Sequence, residues 1–182
     1  YRFKYRENRE PRLGSGLRAP LQDLYAVAGQ YQVFDNHEVG FSAADQGAPP
    51  YTDGGVTLPG GGFVNQTPGY LARLRAYSEY QPVRPETVTG ASDGRADGTR
   101  RFYRSIPWGA DLQVLVLDNR SYRDGHLDSS DSPRANRCTR TMLGITQLTW
   151  LQGELLAAQQ RGVTWKLVVA SSPLQELGRA SQ

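Results

Sequence analysis

The sequence predicts an α/β fold, and three observations carry that expectation. Helical and strand-like periodicities alternate along the chain, and residues 112–117 are almost wholly apolar. Gly and Pro are abundant, with 20 and 11 copies, beside a hydrophobic fraction of only 38%. Alternating helices and strands build sheets covered by helices. A nearly continuous apolar run suits a strand covered on both faces, and Gly, Pro and polar residues collect in loops. A length of 182 residues fits one domain with a sizeable core.

Residues 1–10 read as a charged helix ended by Pro11. Pro20 stands where a first helical turn accepts it. Leu21, Leu24, Tyr25 and Ala28 then recur at helical spacing until Gly29 stops them. Tyr31, Val33 and Phe34 read as a short strand. From 39 to 66 periodicity vanishes, and Pro49-Pro50, Asp53-Gly54-Gly55 and Pro59-Gly60-Gly61-Gly62 are successive turn signals. A loop of that length is functional or disordered.

Thr67 and Pro68 supply an N-cap and a first-turn proline for a helix carrying Leu71, Leu74 and Tyr77, which ends before Pro82. Residues 85–99 form a second expected loop, a strand begins within 101–104, and 112–117 is the central strand. Leu148, Leu151 and Leu155, with Trp150 nearby, mark an amphipathic helix closed by Arg161-Gly162; residues 163–170 make the last strand. Three strands are thus expected to end in Asp-Asn-His-Glu, Asp-Asn-Arg and Ser-Ser-Pro. Ligands of open α/β sheets bind beyond the carboxyl ends of the strands.

Composition narrows the classes of function. No apolar run approaches the length of a membrane-spanning helix. A single cysteine, Cys138, excludes an internal disulfide. The net charge is +3, but the arginines are scattered among Asp and Glu without a run or stripe. Nucleic acid is therefore expected at most as a substrate, an arginine-rich binding module being the weaker alternative. A phosphate-containing ligand suits the charge. The chain opens at Tyr1 without a methionine and carries no leader-like segment, and both ends read as cuts.

The chemistry concentrates at Asp35-Asn36-His37-Glu38. Carboxylate and amide oxygens suit hard cations, while imidazole suits transition metals or proton transfer. The same four residues also read as a polar loop in which Asp35 caps a turn and His37 is hydrogen-bonded. Asp118, Arg120 and Arg123 either steady a site and bind phosphate or form an ion-paired strand end, and Arg84 has the same two readings. His126 reads as a solvated loop histidine, and Asn65-Gln-Thr67 is a formal glycosylation acceptor.

Gln32-Val-Phe-Asp-Asn-His-Glu-Val39 resembles the Asp-Asp/Asn-His-Glu motif of PhoD-type alkaline phosphatases, members of the calcineurin-like metallophosphoesterase superfamily. Four further stretches are similar to family segments in the same order: residues 1–6, the Ala-Tyr-x-Glu-x-x-Pro-x-Arg run ending at Arg84, the Leu-Asp-Asn-Arg-Ser-Tyr-Arg run from Leu117, and the run from Met142 through Gln147 to Leu151. The resemblance implies a calcineurin-like sandwich, incomplete here, whose strands end in active-site loops. Residues 1–182 are then the central part of one such domain, cut at both ends, in an extracellular or periplasmic enzyme. It implies hydrolysis of phosphate monoesters or diesters at a two-metal centre of iron and calcium, or a homologue that binds metal or phosphate without catalysis. Asn36 matches a metal-ligating asparagine and His37 the histidine that contacts phosphate and protonates the leaving oxygen. Asp35 is a further ligand or an orienter of His37. Glu38, Asp118, Arg120 and Arg84 are candidates to support the site or hold phosphate. The remaining metal ligands are expected before Tyr1 and after Gln182.

Overall fold

A computed structural model describes residues 1–9, 21–40, 53–127 and 137–172. Within them the fold is mixed α/β. The main sheet is built from β3 (Arg104–Trp108), β4 (Leu112–Val116) and β5 (Trp165–Val169), in that spatial order. β3 and β4 form an antiparallel hairpin, and β4 runs parallel to β5. The hairpin turns at Gly109, whose φ of 63° is a conformation that costs glycine little. A parallel pair requires a crossover. Here it is the long helix α5 (Gly144–Gln160), lodged against the sheet by Gln113 to Arg161 at 3.0 Å and Lys166 to Gln159 at 2.7 Å.

β4 is the central strand, as its apolar sequence requires, with Val114, Leu115 and Val116 all buried. Its neighbours are less covered. Trp108 and Trp165 pair in register with Leu112 on either side, so they share one face of the sheet. They are 62% and 67% exposed, so the expectation of cover on both faces holds for β4 but not for the whole sheet.

A second layer surrounds α4 (Pro68–Tyr80), which starts where expected, with Tyr70 N–H donating to the Thr67 hydroxyl at 3.4 Å. Phe34, Val39, Val64, Tyr70, Leu74 and Tyr77 belong to one apolar cluster on this helix. Phe34, Tyr77 and Phe102 contact one another edge-on at centroid distances of 5.5, 5.5 and 5.8 Å. Such pairs contribute about 0.5–1.5 kcal/mol each beyond their burial. A smaller cluster of Ala96, Tyr103 and Tyr122 meets Trp150 of α5. The charged helix α1 (Arg2–Arg9) leans on α4 through Arg2–Glu79 and through Tyr5 stacked on Tyr80; α2 is Leu21–Val27.

Three expectations need correction. Tyr31, Val33 and Phe34 are not a strand: among the described residues this segment has no ladder partner, and the Gln32 carbonyl instead accepts from the Arg104 guanidinium at 2.8 Å. The second expected loop contains structure, since β1 (Glu86–Thr87) pairs with β2 (Arg100–Arg101). The described part of the first loop is also ordered by an isolated bridge, Thr57 to Phe63, and a 3-10 turn, Val64–Gln66; residues 41–52 lie outside the described residues. Asn65 in that turn is 2% exposed, and its amide donates to the Arg95 and Ser121 carbonyls at 2.7 and 2.8 Å. That burial removes it as a surface acceptor in the folded chain.

Candidate active site

The Asp-Asn-His-Glu stretch forms a single helical turn, α3 (Asn36–Val39), rather than a strand end. Its local logic is that of a helix start. Asp35 is the N-cap residue, and the Glu38 carboxylate reaches back to accept the Asp35 N–H at 2.7 Å, the returning half of a capping box. Phe34 before the cap and Val39 at the fourth helical position are 1% and 0% exposed in the same cluster. That pairing is the position pattern of a hydrophobic staple. Gly40, at φ 118°, closes the turn with its N–H on the Asn36 carbonyl at 2.9 Å. Anchored on both sides, the turn leaves Asn36 half-buried and His37 exposed.

Asp35 turns its carboxylate elsewhere. The Arg120 Nε donates to Asp35 Oδ1 at 2.6 Å, and Arg120 Nη2 reaches the Ser172 hydroxyl at 3.4 Å. Three chain segments therefore meet here: the turn after Phe34, the end of β4, and the end of β5. Burial resists the charge on Asp35, but the Arg120 hydrogen bond, together with the Ser171 side chain, the Arg120 charge and the Asn36 backbone, holds the carboxyl below its ordinary value.

The end of β4 is fastened at each residue. Asp118 is fully buried; its Oδ1 accepts the Arg120 and Ser121 N–H groups at 2.9 and 2.8 Å. Burial pushes this carboxyl up from its ordinary value, against those hydrogen bonds. The Asn119 Oδ1 accepts the Ser171 N–H at 3.1 Å, tying β4 to β5. The Ser121 hydroxyl receives the Tyr70 O–H at 3.1 Å. The Gly54 N–H donates to the Arg120 carbonyl at 2.8 Å, and a Cβ on Gly54 would lie 2.5 Å from the Ser121 oxygen, so Gly54 has to be bare backbone there.

A second set of ion pairs holds the following segment. Arg123 Nε lies 2.9 Å from Asp53 Oδ1, and Arg95 bridges Asp93 and Asp124 at 3.0 and 2.9 Å. Arg123 thus belongs to the ion-paired loop rather than to the Asp35 group. His126 is exposed, with its backbone N–H on Asp53. Arg84 is exposed and enters none of the hydrogen bonds that join Asp35, Asp118 and Arg120. Cys138 is free and exposed.

Gln147 on α5 escaped the sequence reading as a functional candidate. It is fully buried, and its amide pairs with both peptide groups of Asp118. The available signal was its place in the helix: Gly144, Gln147 and Ala158 are the buried positions of α5, so a polar residue stood on the sheet-facing stripe.

The chemistry of the donor set limits what these residues hold alone. Asn36 offers an amide oxygen, and Asp35 a carboxylate already paired with Arg120. Among the described residues no three His, Cys, Asp or Glu side chains come together as a metal site. These residues are a partial donor set and do not by themselves hold a metal ion.

A sequence profile described as PhoD-like phosphatase matches residues 1–182. The chain belongs to the PhoD-like phosphatase family. A solved structure described as "Structure of PhoD" is similar at 23% identity and a TM-score of 0.46. The alignment covers 74% of this chain and 23% of that one, so this chain spans under a quarter of that protein. No curated protein gives a significant match to the sequence. Among the described residues no helix is long and apolar enough to cross a membrane.

Proposed function

We propose that this chain contributes to a metal-dependent phosphoesterase, hydrolysing phosphate monoesters or diesters, with the α3 turn and the end of β4 on one side of its active site. Membership of the PhoD-like family supports the reaction class. The observation that carries the site is the division of labour in the Asp-Asn-His-Glu turn. Glu38 caps the turn's own N-terminus and Asp35 is ion-paired with Arg120, while the same turn holds Asn36 half-buried and His37 exposed.

In this reading His37 holds a proton for the leaving oxygen. General acid catalysis of that kind contributes about 100- to 10,000-fold in rate. Asn36 and Asp35 are the metal donors from this chain, and the metal centre, when complete, supplies Lewis-acid activation of water and charge stabilisation at phosphorus. Arg120, held by Asp35, is the candidate to meet a phosphate oxygen with a guanidinium that stays charged at any working pH. The calcineurin-like sandwich, the remaining ligands and an extracellular or periplasmic setting belong to the same proposal. So does the reading of residues 1–182 as the central part of one domain.

The test is turnover of a chromogenic phosphomonoester and a diester by the complete protein, with and without chelator. Hydrolysis is expected to stop on chelation and to fall at least about 100-fold in His37→Ala. The exposure of His37 lets that variant keep its fold. Full activity in His37→Ala would sink the assignment. The 182-residue chain alone is expected to show little or no hydrolysis.

A further inference from the structure

We propose that Gln147 is a positioning residue of the candidate site, acting through Asp118 to aim the Arg120 guanidinium at Asp35. Gln147 is 0% exposed, and every polar atom of its side chain is engaged. Its Oε1 accepts the Asp118 N–H at 2.8 Å, and its Nε2 donates to the Asp118 carbonyl at 2.8 Å and to the Leu143 carbonyl at 3.1 Å. The primary amide thus pairs with Asp118 as a neighbouring strand would, just after β4 itself ends. That pairing fixes both peptide planes of Asp118, and with them the direction in which its side chain leaves.

The chain of consequences is short. Asp118 Oδ1 collects the N–H groups of Arg120 and Ser121, which folds the backbone over the carboxylate. The fold of that turn sends Arg120 across to Asp35 and Ser172. The carboxylate cannot do this unaided. It is fully buried, its other oxygen Oδ2 has no hydrogen-bond partner, and only a fixed backbone keeps Oδ1 under both donors. An apolar side chain at 147 fills the space but leaves the Asp118 N–H and carbonyl unpaired inside the protein, and the turn then moves to satisfy them. Helix α5 is in this way coupled to a guanidinium whose own hydrogen bonds go to Asp35 and Ser172.

The consequence for turnover rests on the proposed phosphoesterase reading; the geometric consequence does not. The experiment uses the complete protein labelled with 15N-arginine, the Arg120 Nε–H resonance being assigned by its loss in Arg120→Lys. In the wild type that proton is expected to exchange slowly with water. Gln147→Leu is expected to speed exchange at least about 10-fold and to lower kcat about 100-fold with little change in KM, the scale of a reacting group displaced by an ångström. Gln147→Glu, which keeps an acceptor for the Asp118 N–H, is expected to fall between the two and serves if the leucine variant does not fold. An unchanged Arg120 Nε–H in a folded Gln147 variant overturns the inference, and so does altered exchange with unchanged kcat. A wild-type protein without turnover defeats the phosphoesterase reading instead, and the exchange measurement then decides whether Gln147 positions Arg120.

Discussion

Within the α3 turn, each residue of Asp35-Asn36-His37-Glu38 has a separate task, and the tasks differ in how they respond to substitution. Glu38 accepts a backbone N–H at 2.7 Å, a service that glutamine performs equally well. Glu38→Gln is therefore expected to retain activity within a few-fold and to keep its melting temperature. Glu38→Ala loses the bond and costs about 0.5–2 kcal/mol of local stability, by analogy with other lost caps. Chemical denaturation of both variants together with their turnover checks this. A large loss of activity in Glu38→Gln means that the carboxylate itself does chemistry. The capping signature, an apolar residue, Asp, Glu three positions later, then an apolar residue, was present in the sequence beside the chemical one. Asp35 was read as capping a turn, but the strand reading of Tyr31 to Phe34 hid that the turn is helical, because a strand end calls for no helix cap. Gln147 was hidden for a related reason: the pattern of a helix names the face that is buried, and the partner of a buried amide is known only once the sheet is in place.

The elements themselves were largely legible. α4, α5, β4 and β5 lie where propensity, helix-end signals and apolar periodicity put them, since each is long enough for its pattern to develop. What was missed are pairings made by very short segments, β1 with β2 and Thr57 with Phe63, which have too few residues for any periodicity to develop. At this scale the docking of α1 on α4 is open to test. Glu79 takes a hydrogen bond from Arg2, which, with Arg75 behind it, lowers its carboxyl to about 2 from an ordinary 4.5. A carboxyl depressed in the folded state stabilises above its unfolded value, and that contribution is lost as pH falls from about 4.5 toward 2. Glu79→Gln is thus expected to quicken amide exchange in α1 at pH 7, with a difference that vanishes near pH 2. The pair is open to solvent, so salt should shrink the effect as well.

Across the whole molecule, stability is concentrated away from the surface that carries the candidate chemistry. β4 is hydrogen-bonded on both sides and almost wholly buried, so its amides are expected to exchange most slowly of all. The aromatic cluster under α3 is a separate support. Phe34→Ala removes a ring that is 1% exposed and touches both Tyr77 and Phe102. It is expected to cost about 3–5 kcal/mol, as large-to-small core changes do. Exchange should quicken in α3 and α4 before it does in β4, and uniform quickening would mean that the two layers open as one. The mixed α/β class could be read from alternating periodicities, whereas the exposed face bearing Trp108 and Trp165 could not. A strand's sequence reports what it can bury and leaves open what lies over it.

The burial of Asn65 has a consequence in time as well as in space. An oligosaccharide cannot be attached to an asparagine whose amide nitrogen is held by two carbonyls inside the protein. Nor can the 3-10 turn close over one that already carries a sugar. If the chain is made in a secretory compartment that glycosylates Asn-x-Thr, modification and folding therefore compete for the same nitrogen. The glycosylated fraction then records how slowly the Ser121 carbonyl reaches Asn65 during synthesis, and any sugar found there marks a molecule that was too late to fold correctly.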